Sequence, residues 1–95
     1  MPTLQIEHAI SDFEVWQQAF ERFDHARQQA GVRSHHVRRP VDDAKYVVIE
    51  LDFDTVAQAE HFRTFLEQKV WSSSVSSPAL IGSPKTRILQ LELSS

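Results

Sequence analysis

Thr3-Leu4-Gln5-Ile6-Glu7-His8, continuing through Ala9-Ile10 into Ser11-Asp12-Phe13-Glu14, is the stretch that decides the fold. Leu4, Ile6 and His8 alternate with Thr3, Gln5 and Glu7, which is the two-residue period of a half-buried strand. Ser11 to Glu14 has the spacing of a capping box, and Ile10 and Val15 are placed for a hydrophobic staple, so a helix is expected directly after the strand. Phe13, Trp16, Phe20, Phe23 and Arg27 then recur three or four residues apart as one inward stripe, up to a stop at Gly31. Gln17, Glu21, Asp24 and His25 fall on the opposite, solvated face.

Working outward, Val32 to Arg39 reads as a polar-decorated strand, and Pro40-Val41-Asp42-Asp43-Ala44 has turn chemistry. Lys45 to Phe53 is the strongest strand, with Val47, Ile49, Leu51 and Phe53 on its core side. A hairpin that pairs Val37 with Val47 is expected. Asp54 or Thr55 caps a second helix to about Lys69, with Val56, Ala59, Phe62, Phe65 and Leu66 on its apolar side. The serine-rich stretch Ser72 to Pro78 and the breakers Gly82-Ser83-Pro84 read as loop, and Lys85 to Leu93 reads as the closing strand. Its Leu89, Leu91 and Leu93 are assigned to one face, and Ile88, Gln90 and Glu92 to the other.

The order β-α-β-β-α-β over residues 1–95 describes a single α+β domain, a ferredoxin-like sandwich with an antiparallel four-stranded sheet and two helices on one face. The other face is expected to carry Gln5, Glu7, Tyr46, Val48, Glu50, Asp52, Ile88, Gln90 and Glu92, with Ser34, His36 and Arg38 beside them. A second copy crossing over it would set Arg38 against the carboxylates, which orients a homodimer more than it strengthens one. A solvated sheet with local cross-strand pairs is the other reading.

Ten basic and 13 acidic residues, net −3, are scattered with no basic stripe, so nucleic acid is not an expected partner. No stretch approaches the roughly 20 apolar residues of a membrane span, and the first residues lack the pattern of a signal peptide. With no cysteine, disulfides and thiolate metal sites are excluded, and a cytoplasmic location is expected. A chain of 95 residues buries a modest core, which a homodimer would enlarge.

His8 is the candidate catalytic residue, because it ends the inward series Leu4, Ile6 beside the Trp16 and Phe20 stripe. A neutral imidazole there would act as a base or as a donor to a bound carbonyl; a histidine satisfied by the backbone is the structural alternative. His35 and His36 point to opposite faces, and the expected register turns His35 inward to join His8. No short-range ligand spacing such as His-Glu-x-x-His is present, so neither a metal nor a cofactor is expected. Trp16, Phe20 and Trp71 would stack on a small planar ligand, with the serine-rich loop placed as a lid, while core packing is their structural reading. His61 falls at the edge of its helix stripe. Arg27 is expected to snorkel or to pair with an acid, with anion binding as the alternative.

The segment Ile6 to Trp16, with Phe20 after it and Asp42-Asp43 before Val47-Val48-Ile49-Glu50, resembles the dimeric α+β barrel superfamily, and within it small proteins grouped with antibiotic-biosynthesis monooxygenases. The resemblance spans about Thr3 to Leu93. It implies a homodimer with facing sheets and a pocket in each subunit between sheet and helices. The superfamily's activities include cofactor-independent oxygenation, haem degradation and polyketide cyclisation. Its oxygenases and haem-degrading members commonly use an asparagine with a tryptophan and a histidine or tyrosine, and this chain has no asparagine. Two function classes therefore stand: a cofactor-independent monooxygenase or cyclase-like enzyme acting on a planar aromatic or polyketide-like compound, and a non-catalytic dimeric binding or accessory module.

Overall fold

A computed structural model describes residues 1–94 and gives the order β1 (Thr3–Ile10), α1 (Phe13–Arg22), α2 (Asp24–Ala30), β2 (Ser34–Arg38), β3 (Tyr46–Asp52), α3 (Val56–Phe65) and β4 (Leu80–Leu89). The sheet order is β2-β3-β1-β4, and every neighbouring pair is antiparallel. The inner strands β1 and β3 match Leu4 to Leu51, Ile6 to Ile49 and His8 to Val47. This puts their apolar residues on one face, where they meet Trp16, Ala59 and Phe62 from the helices in a single core. No helix among the described residues is long and apolar enough to cross a membrane.

The first helix differs from its expected form in two ways. Asp12, not Ser11, is the N-cap; its side chain accepts from Val15 N at 3.0 Å. The helix therefore begins one residue later than a Ser11 capping box requires, and Val15 is 41% exposed instead of stapled to the buried Ile10. The continuous helix to Gly31 is broken at Phe23, whose N–H bonds the Phe20 carbonyl at 3.2 Å. The inward stripe survives the break because Trp16 and Arg27 are both buried, with Phe20 and Phe23 packed against the core. Gly31 closes α2 in the left-handed conformation at φ 93°, where a side chain would be strained.

Thr55 caps α3 in a reciprocal capping box with Gln58. The helix then widens into a π-helical turn, Leu66–Val70, closed by Trp71 N to Leu66 O at 2.7 Å. The serine-rich segment is held by its own bonds: the Ser77 hydroxyl reaches the carbonyls of Val70 and Ser73 at 3.0 and 2.7 Å. Its end is tied to β1 by Ser11 N to Ala79 O at 2.9 Å.

Two strand pairings are corrected. Val37 lies opposite Ile49, not Val47, a shift of two residues that leaves every side chain of β2 on its expected face. The fourth strand begins at Leu80 and ends at Leu89, and its faces are reversed: Ile88 lies opposite the buried Leu4 and packs on the core, while Lys85 and Arg87 lie opposite Glu7 and Gln5 on the open face. The reversal follows from the register, which sets Ile88 against the inward Leu4 and Leu89 against the outward Thr3. Gly82-Ser83-Pro84 is a bulge inside the strand and not a loop before it; these three residues stand opposite His8 alone, and the two extra residues keep Leu80 and Ile88 on the same face. Gly82 supplies a φ of 73° there, and a proline has no N–H to give a ladder. Gln90 and Glu92 lie beyond the strand.

The open face is consequently not an excess of unpaired carboxylate. Arg38 bonds Glu50 within the chain, Tyr46 donates to Glu7 at 2.9 Å, and Asp52 accepts from Thr3 and from Ser34. Arg38 thus has a carboxylate partner within the chain, diagonal to it across the β2–β3 ladder, which is the local cross-strand pairing of the second expectation.

Candidate functional site

Between the sheet and the helices lies a cavity of about 70 Å³. The strand β1 brings His8 to it, α1 brings Trp16 and Phe20, α2 brings Arg27, and the π-helical turn delivers Trp71 at its exit. Ser76 and Ser77 close it from the serine-rich segment, and the rest of its wall is mostly aliphatic and aromatic. No aspartate or glutamate lines it.

His8 is 4% exposed. Its Nδ1 lies 2.9 Å from the Ala9 carbonyl oxygen, which can only accept, so Nδ1 carries the proton and Nε2 keeps its lone pair. Burial pushes the imidazole below its usual pKa, outweighing the opposing effect of the Ala9 bond, so the neutral form prevails at pH 7. Nε2 has no partner among the described residues and is not sealed off as a buried orphan. A neutral imidazole with a free nitrogen in an apolar space can take a proton. The β4 bulge stands directly across from it, as bulges often do beside functional residues.

The aromatic wall is continuous. Trp16 stacks on Phe20 with centroids 4.9 Å apart, Phe13 lies 5.8 Å from Trp16, and His35 meets Phe20 edge-on at 5.5 Å. His35 does face the helices, but it lines an outer groove with Trp16, Phe20 and Val37 and does not line the cavity. Of the residues singled out in the sequence, the structure thus brings His8, Trp16, Phe20 and Trp71 together and leaves His35 on the far side of the wall. His61 belongs to a separate groove between α2 and α3. Among the described residues no three histidine, aspartate or glutamate side chains gather as a metal-binding group.

Arg27 is the cavity residue whose importance the sequence understates. It does not snorkel; it is 5% exposed, with its guanidinium 3.7 Å above the Phe20 ring and Nη1 donating to the Phe20 carbonyl at 2.6 Å. Its place in a stripe of aromatics was the signal that it points inward.

A scan against family models finds no match, and no curated protein matches the chain. Among solved structures, it is similar to a dimeric ferredoxin-like protein from an uncultured marine organism, with a TM-score of 0.66, 13% sequence identity, and coverage of 97% of this chain and 98% of that one. The fold is ferredoxin-like. At that identity the likeness carries the ferredoxin-like architecture and leaves the chemistry to the residues themselves.

Proposed function

We propose that this chain binds a compact planar organic molecule in the cavity and that His8 acts on it as a general base, as in a cofactor-independent monooxygenase or cyclase. The observation that carries this reading is the buried His8, lining an aromatic-walled cavity, with no partner for its Nε2 among the described residues. A ligand hydroxyl would give its proton to Nε2 and keep the bonding electron pair. With hydroquinone the anion would then take one atom of dioxygen into the ring and release the other as water, the ring supplying the electrons as it becomes a hydroxyquinone. Volume limits the ligand. A cavity of about 70 Å³ is under half the ~150 Å³ that admits benzene, so single rings or smaller groups are favoured over fused polyketides, and entry of a ring requires the Trp71–Ala79 segment to yield.

The test is a titration with phenol, catechol and hydroquinone followed by the fluorescence of Trp16 and Trp71, paired with dioxygen uptake. His8→Gln is expected to keep saturable binding and to lose turnover. The absence of saturable binding by any of them would overturn the reading.

The open sheet face supports a homodimer, and with it the alternative of a non-catalytic dimeric module. Tyr46, Val48 and Leu89 lie on that face among carboxylates that already have partners within the chain, with Lys85 and Arg87 beside them as cations that have none among the described residues. The solved neighbour is described as dimeric. Light scattering is expected to give twice the chain mass at micromolar concentration and a monomer for Val48→Lys; a monomeric wild type would refute the pairing.

A further inference from the structure

Arg27 is a buried cation whose one ion pair is long and runs to a solvated carboxylate on the outer-groove side, where Glu21 and Asp24 lie. It has five N–H donors, of which Nη1 serves the Phe20 carbonyl, while Nε is buried with no partner among the described residues. Its nearest acid, Asp24, lies 3.7 Å from Nη2 with its side chain 60% exposed, and the same carboxylate accepts from Gln28. A long pair to a solvated carboxylate compensates little of the desolvation of a buried guanidinium. The Phe20 carbonyl does not depend on Arg27 either, because it also accepts from Phe23 N at 3.2 Å. The inward wall offers this cation aromatic and aliphatic groups, two serines and a neutral histidine, but no acid.

We propose that the cavity takes a small monocarboxylate, whose carboxylate pairs with Arg27 while His8 addresses the ligand's reactive proton. This rests on the cavity's being a ligand site. Carboxylate is favoured over phosphate by charge and by shape. A single guanidinium beside a neutral imidazole supplies one positive charge, whereas a phosphate monoester brings about −1.5 to −2, and the unspent donors match the planar, two-oxygen geometry of a carboxylate. The small volume limits the rest of the ligand to a short chain or one ring.

The experiment compares acids with amides of the same shape on the full chain: propionate with propionamide, and benzoate with benzamide, by calorimetry and tryptophan fluorescence. Wild type is expected to bind each acid at least ten-fold more tightly than its amide. Arg27→Met should erase that preference while keeping or raising Tm, since an apolar side chain of similar length removes the buried charge. Arg27→Lys should keep part of the preference. The acid-against-amide comparison on wild type needs no variant, so it decides even where a variant misfolds. Equal binding of acid and amide would overturn the carboxylate while leaving the ligand site intact, as would inorganic phosphate that competes as well as propionate. Failure of acids, amides and phenols alike would overturn the ligand site and this inference with it.

Discussion

Replacing His8 with glutamine should flatten the acid limb of the stability profile, and the size of the effect follows from its burial. In the unfolded chain the imidazole titrates near 6.5, whereas in the folded protein burial holds it lower. Between those two values the unfolded state binds a proton that the folded state refuses. The stability His8 contributes is therefore fully present above pH 6.5 and is lost as the pH falls toward the folded value, at up to about 1.4 kcal/mol per pH unit. His25, His35, His36 and His61 are common to both proteins, so their contributions cancel in the difference. Urea denaturation followed by circular dichroism at pH 7.5, 6.5 and 5.5 measures the effect. Wild type should lose up to about 1 kcal/mol more than His8→Gln between pH 6.5 and 5.5, since the unfolded imidazole is only half protonated at the upper value, which is several degrees in Tm for a domain of this size. Parallel profiles would refute the reasoning, because an imidazole that charges as easily folded as unfolded is not held neutral by burial.

Phe53→Ala should cost about 3–5 kcal/mol in chemical denaturation, since the ring is fully buried against Phe62 and leaves a void that the sheet cannot close. Gly82→Ala should cost about 1 kcal/mol, measured the same way: φ is 73° there and an added Cβ meets nothing within 4 Å, so the penalty is conformational alone. Arg38→Ala should change stability by at most about 1 kcal/mol, less in high salt, because its bond to Glu50 is on the exposed face.

Much of the site was legible in the sequence where a period carried it. His8 follows Leu4 and Ile6 on a strand whose partner β3 has the same alternation, so its inward position depends on local geometry alone. Trp16, Phe20 and Arg27 share a stripe that a break at Phe23 does not disturb. Trp71 was legible only as a residue after a helix; its arrival at the cavity depends on the widened π-helical turn, which has no sequence period of its own.

By itself, the sequence determined the element order, the core faces of β1 and β3 and the helix stripes, because side-chain direction there repeats with the backbone's own geometry. The same parity turned His35 inward under either register, since a two-residue slip preserves faces. Only the tertiary structure decided which way β4 faces, because the alternation of Leu89, Leu91 and Leu93 fits either face until the pairing of Ile88 with Leu4 fixes the register. It alone placed Phe20 between His8 and His35, and it alone left Arg27 among rings with an incomplete set of partners. Those outcomes depend on how separate elements meet in space, and no run of residues along the chain encodes that distance.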